Sequence, residues 1–324
     1  MKRRDFLKSL SAAGLVGFSS SVPAEAVGES PQMRGRVVMV QRPGIVDAQE
    51  RADAVKLANM LDAAVERLFE EKADKIWRTL FSPRDVVGLK VNCLAGRGLS
   101  TRTELTQAVV DRLTKAGVPH EQIIIWDRRD RDLQRAGYTL NSGKGVQCCG
   151  NDRAGFTEHV YEFGAAASQL SLTLMRCTAV INLPILKDHG IVGMSGALKN
   201  FFGAVNNPNK YHMNCGDPFV ADVACLPPIR QKVRLTICDA LTAQYEGGPP
   251  FMPEYTWRLE SLLVAVDMAA LDRIAWQMID EKRRQVGLPT LEKAGRKPTY
   301  ILTAGDAAHR LGETDPMKIE WIRI

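Results

Sequence analysis

The stretch Ile181-Asn-Leu-Pro-Ile-Leu-Lys-Asp-His-Gly-Ile-Val-Gly-Met-Ser-Gly-Ala-Leu-Lys-Asn-Phe-Phe-Gly203 decides how the chain reads. Ala179 to Leu183 is a short apolar run with the character of a buried strand, and Pro184 stops it. Lys187, Asp188 and His189 follow in a row. Gly190, Gly193 and Gly196 then predict a flexible loop whose backbone amides approach a ligand. Ser195 is placed to cap a helix through Ala197, Leu198 and Phe201, with Lys199 and Asn200 in its first turns. A strand end, a glycine loop and a helix start bind anions, because unpaired amides and the helix dipole face one point. The alternative is a βα connection whose polar residues are merely solvated. The G-x-x-G-x-x-G spacing is neither a Walker loop nor a Rossmann fingerprint.

Outward from this stretch, strands and helices alternate. Strands are predicted over Val37–Val40, Val86–Val91, Ile123–Trp126, Val233–Cys238, Leu262–Val266 and Lys318–Ile324. Helices are predicted over Asp47–Glu71, Asp74–Leu80, Thr103–Lys115 and from an Asp267 cap to Arg284, with a last one near Ala307. Asp217 is predicted to cap another through Val223. Arg128 to Phe163 reads as an irregular excursion with one short helix at Asp130–Arg135. The alternation predicts an α/β fold with a mixed, largely parallel sheet flanked by helices, as one large domain or two closely packed lobes meeting near residue 165. It also sets polar residues at the carboxyl ends of strands, where such sheets bind ligands.

The 324 residues are 45% hydrophobic and 25% charged, ordinary for a globular protein with a real core. Net charge is +6, of which residues 1–26 carry +2 (Lys2, Arg3, Arg4 and Lys8 against Asp5 and Glu25). The remaining excess is small, and no basic run is interleaved with aromatics, so a nucleic-acid partner is not expected. Lys2-Arg-Arg-Asp-Phe-Leu-Lys8 fits the twin-arginine export pattern, followed by a softened apolar stretch from Leu10 to Val22 and an Ala24-Glu25-Ala26 cleavage site. That stretch is too short for a membrane span. The expected organisation is a leader over 1–26, a linker over 27–35 and an α/β domain over 36–324. The leader predicts the twin-arginine translocase as partner, a periplasmic location and no stable membrane anchor after cleavage. Seven scattered cysteines include no C-x-x-C, so ligand spacing for an iron-sulfur or zinc site is missing.

Lys90-Val-Asn92, Asn182-Leu-Pro-Ile-Leu-Lys-Asp-His189, Leu198-Lys-Asn-Phe-Phe-Gly203, His212, Asp239-Ala-Leu241, Glu246-Gly-Gly-Pro249 and Asp267-Met-Ala-Ala-Leu-Asp272 together resemble the family named domain of unknown function 362. The resemblance runs from about Val86 to the C-terminus and implies a fold and a set of positions, not a reaction. Many relatives carry a ferredoxin-type cysteine cluster, which this chain lacks.

Lys187 is expected to hold an anionic group and His189 to donate or accept a proton or bind a metal. Asp239 completes the catalytic candidates. Ligand-binding candidates are Lys90 and Asn92 at a strand end, Lys199 and Asn200, His212, Glu246, Gly247, Asp267 and Asp272. Asp267 reads equally as an N-cap, and Asp272 as dipole compensation. Lys90, Lys187, His189 and Lys199 are expected to converge on one anion-binding cleft, their charge opposed by an anion or by Asp239 and Asp267. The favoured function is a periplasmic enzyme, redox by subclass, acting on or with a small anionic ligand, with its cofactor open. Alternatives are a non-catalytic binding or assembly factor for an exported redox complex, and a hydrolase with a metal on His189, His212 and Asp239 or Asp267.

Overall fold

The computed structural model describes residues 33–324. The expected leader, with Arg3, Arg4 and the expected Ala24-Glu25-Ala26 cleavage site, lies outside the described residues, as does the expected linker up to residue 32. In chain order the elements are β1 (Arg36–Gln41), α1 (Ala54–Phe69), α2 (Ala73–Leu80), β2 (Val87–Lys90), α3 (Thr103–Lys115), β3 (Ile123–Asp127), α4 (Asp130–Ala136) and β4 (Gln147–Gly150). Then come β5 (Phe156–Phe163), β6 (Ala166–Ser171), β7 (Ala179–Asn182), β8 (Ile185–His189), β9 (Gly193–Ser195) and α5 (Phe219–Cys225). The last are β10 (Val233–Gln244), β11 (Thr256–Ala265), α6 (Met268–Gln285), α7 (Tyr300–Ala304) and β12 (Glu320–Arg323).

One sheet organises the molecule, in the order β12-β1-β11-β10-β7-β2-β3-β4, with β8 beside β10 and β9 beside β8. From β10 to β4 neighbours are parallel, whereas β11 runs antiparallel to both β10 and β1. Alternation along the strands feeds two cores. Val38 and Val40 pack with Leu57, Leu61, Trp77, Leu105 and Val109 of α1 to α3 on one face. Val37 and Met39 join Val220, Ala270, Ile274 and Tyr300 of α5 to α7 on the other. This is the expected α/β architecture, a mixed and largely parallel sheet with helices on both faces.

Local chemistry explains where boundaries moved. The first helix starts at Asp53, whose carboxylate accepts from the Val55 and Lys56 amides, while Asp47 closes a preceding turn through the Gln49 and Arg51 amides. The excursion after Arg128 holds the edge strand β4 and the hairpin β5–β6, both unpredicted. Their polar residues and glycines hide strand character that neighbouring backbone supplies. Asp217 caps nothing with its side chain, which instead accepts from Thr303 Oγ1 at 2.7 Å. The last helix lies at Tyr300–Ala304, upstream of Ala307.

The decisive stretch departs most. Instead of a glycine loop and a helix, β8 and β9 form an antiparallel hairpin, and Lys199–Ala204 is a 3-10 turn. Strand β10 explains this. Its first half pairs with β7 and its second half with β8, so Pro184 interrupts one long path without ending it. The Pro184 carbonyl accepts the Asp239 amide at 2.9 Å across the gap. Ser195 therefore ends a strand and does not start a helix, so the expected helix dipole is not there to meet an anion.

Asp267 ties the far half together. Its buried carboxylate accepts from the amide of Ala270 in α6, from Gly35 before β1 and from Glu313 before β12. Replacing it with Ala removes the cap and orphans two more amides, so Asp267→Ala is expected to lower stability by ~3 kcal/mol in urea denaturation.

Candidate functional site

The parallel strands end together. Lys90 closes β2 beside Asn182 of β7 on one side and Trp126 of β3 on the other, and Asp127 follows Trp126. The chain goes from β2 to β3 and β4 in one direction, then returns to place β7 on the other flank of β2. The β2–β7 boundary is thus a topological switch point, where crevices open outside the carboxyl ends of strands. A cleft of about 420 Å³ lies there, with Lys90, Asp127, Arg128, His189, Lys199 and His212 among its lining.

The floor is a polar network. Lys90 Nζ meets Asp127 Oδ1 at 2.8 Å, the Val91 carbonyl at 2.6 Å and Asn200 Oδ1 at 3.1 Å. The other Asp127 oxygen accepts the Cys93 amide at 2.7 Å. Asn200 donates to the Lys90 carbonyl and to Asn182 Oδ1, and accepts from Asn92 Nδ2. Gly203 closes over this pair: a Cβ there would lie 2.8 Å from Lys90 Cε and 3.0 Å from Asp127 Oδ1.

The walls carry less compensated charge. Lys187 is 1% exposed, and among the described residues its ammonium has one long hydrogen bond, 3.4 Å to the Pro249 carbonyl. Burial pulls its pKa down to about 8, despite support from Asp127, Cys93 and Asp188. Lys199 sits with its ammonium 4.6 Å from the centre of the Phe202 ring and has no carboxylate partner among the described residues. Although half-buried rather than sealed, it is desolvated within the cleft and repelled by Lys187, which brings it to about 7. The Arg128 side chain also forms no ion pair with a described residue, and burial followed by Arg129 lowers its pKa. Asp132 is held above the usual carboxylate range by burial and Asp127.

His189 and His212 stack with ring centres 5.3 Å apart. His189 Nδ1 accepts from the Ile191 and Val192 amides at 3.2 and 3.4 Å, whereas His212 Nδ1 faces the Pro208 and Asn209 carbonyls at 3.1 and 3.3 Å. Burial and then Lys199 depress His189 to about 2. The same two causes, in the same order, lower His212.

Strand alternation in β8 sorts the expected residues. Lys187 and His189 share a face, while Asp188 points away and binds Arg296 at 2.8 Å, the Gly248 amide at 2.8 Å and Gln244. Thus Lys90, Asn92, His189, Lys199, Asn200 and His212 line one cleft, with Lys187 directly behind Pro249. The acidic candidates are placed elsewhere, a correction to the expected neutralisation by Asp239 and Asp267. Asp239 accepts the Arg102 and Leu241 amides, and Asp267 caps α6. Asp272 accepts the Ala197 and Leu198 amides at 2.6 and 3.0 Å, and burial raises it to about 7. Glu246 pairs with Arg283 and Arg296, and Gly247 makes a turn at φ 80° packed on Met252. Asp127, which opposes Lys90, and Arg128 were missing from the sequence-derived set. The strand-end logic that selects Lys90 applies to them equally.

A parallel-centred α/β sheet with its cleft at a switch point defines the class. The family described as domain of unknown function (DUF362) matches residues 87–277, which include every lining residue named above, and the chain belongs to that family. A search of curated proteins returns no match.

The unpaired lysines give the ligand-free protein a distinctive pH response. Lys187 and Lys199 titrate in the folded chain near 8 and 7, against an ordinary 10.5. Between those limits the unfolded chain holds protons that the folded chain has released, so stability rises with pH from about 7 to 10.5. Urea denaturation should show this rise, diminished in Lys187→Met, which should also be at least as stable as the parent at neutral pH. Lys90→Met, by contrast, leaves Asp127 buried and unpaired and should cost about 3–5 kcal/mol.

Proposed function

We infer that the protein is an exported enzyme that binds a small organic anion in the switch-point cleft and acts on it by proton transfer. The observation that carries this is the desolvation of Lys187 and Lys199, neither of which forms an ion pair with a described residue. A ligand that supplies the negative charge removes their mutual repulsion and restores their protons. Ile191, Phe202, Pro208 and Pro249 in the lining suit the carbon skeleton of such an anion. Lys199, near 7, provides a group that exchanges a proton around neutral pH, and the two imidazoles, both lowered by burial and Lys199, stay neutral beside it.

The redox subclass rests on the leader alone, since twin-arginine export suits proteins folded around a cofactor. The metal-hydrolase alternative loses its carboxylates, because Asp239 and Asp267 are bonded to backbone amides.

Calorimetry with acetate and inorganic phosphate tests the binding. Lys199→Met is expected to weaken it by about 1.5–3 kcal/mol, the range for a charged hydrogen bond. At about pH 8, association should take up protons, seen as a binding heat that depends on the ionisation enthalpy of the buffer. A Lys199→Met protein that binds as well as the parent, with no proton uptake in the parent, would sink the reading. Export is checked separately: changing Arg3 and Arg4 to Lys should leave uncleaved precursor in the cytoplasm, and normal periplasmic recovery would refute it.

A further inference from the structure

We propose that His189 and His212 form a fixed donor–acceptor pair that reads an alcohol hydroxyl, so that the ligand is a hydroxylated small anion. This rests on the anion-binding reading of the same cleft. The two rings are locked in opposite tautomers by backbone. Two amides point at Nδ1 of His189, which must therefore be a bare acceptor, leaving the hydrogen on Nε2. Two carbonyls face Nδ1 of His212, which must therefore carry the hydrogen, leaving Nε2 with a free lone pair. Both rings are neutral, because burial and Lys199 oppose a second proton.

Among the described residues no protein group meets either Nε2, and both rings line the cleft. The rings stack with centres 5.3 Å apart and both line the cleft, so one donor and one acceptor are offered to it. A hydroxyl answers both, accepting from His189 and donating to His212. A carbonyl or ether oxygen leaves the His212 lone pair unanswered, and an ammonium is repelled by Lys187, Lys199 and Arg128. His189 is 3% exposed, so a ligand without a matching oxygen leaves its N–H desolvated and unpaired. The pairing also divides roles: His212 is the group that can accept a proton, and His189 the neutral donor to the substrate oxygen. Of the roles expected for His189, donor, acceptor or metal ligand, this reading takes the donor.

The experiment uses two matched pairs of probes, glycolate with acetate and glycerol 1-phosphate with propyl phosphate, titrated by calorimetry into the full-length protein. The hydroxylated member of at least one pair should bind about tenfold or more tightly, the worth of a neutral hydrogen bond at a desolvated site. Which pair shows it identifies the anion as carboxylate or phosphate. His212→Phe keeps an aromatic ring against His189 and Phe202, and should erase the preference within the pair. Lys199→Met should weaken both members of a pair alike. Nitrogen NMR of the ligand-free protein should place the His189 hydrogen on Nε2 and that of His212 on Nδ1. Equal affinity within both pairs, a preference that survives His212→Phe, or the reverse tautomers would overturn the hydroxyl reading and leave anion binding standing. Failure of all four probes to bind would overturn both.

Discussion

The contact between Lys90 and Asp127 sets the conditions for the rest of the site. It joins the ends of two adjacent parallel strands, and both residues are buried. A pair so placed is favourable only when its remaining hydrogen-bonding capacity is filled, and here it is. The Val91 carbonyl and Asn200 complete the ammonium, and the Cys93 amide occupies the second carboxylate oxygen. These bonds explain why the segment after β9 turns as it does. Asn200 must reach the Lys90 carbonyl, Gly203 must pass without a side chain, and Asp272 holds the Ala197 and Leu198 amides so that both can happen. Lys199 and Phe202 face the cleft as a consequence of that turn.

Charge is treated differently on the two sides of β8. Behind it, Asp188, Arg296, Glu246 and Arg283 form a chain of matched ions. In front, Lys187, Lys199 and Arg128 have no such matches among the described residues. A strand that alternates its side chains separates a finished electrostatic network from an unfinished one by the thickness of one backbone. The acidic candidates belong to the finished side or to helix and loop anchoring, which is why their strand-end positions did not bring them to the cleft.

Much of this was legible in the sequence. Strands β1, β2, β3 and β7 and helices α2, α3 and α6 are apolar runs of the right period with clear stops, and the residues that end those strands supplied Lys90. What stayed hidden depended on partners. The β8–β9 hairpin was obscured because Gly190, Gly193 and Gly196 suggest a loop, whereas only the length of β10 provides the edge that holds the segment extended. Strand β4 has just four residues, two of them cysteines, and is a strand because β3 lies beside it. The opposite tautomers of His189 and His212 follow from backbone amides and carbonyls two to four residues away, which residue types do not reveal.

The span recognised as the family, 87–277, does not coincide with a self-sufficient folding unit. Within it, β11 would lose β1, the strand that covers its outer edge, and β1 in turn is flanked by β12. Asp188 would lose Arg296, and Asp267 would lose both Gly35 and Glu313. An excised 87–277 fragment would present a long bare strand edge and two stranded carboxylates, a combination that favours intermolecular pairing over monomeric folding. The segments on either side of the recognised span thus act as a clasp: the centre holds the cleft, and the stretches leading into β1 and β12, meeting at Asp267, close the sheet around it.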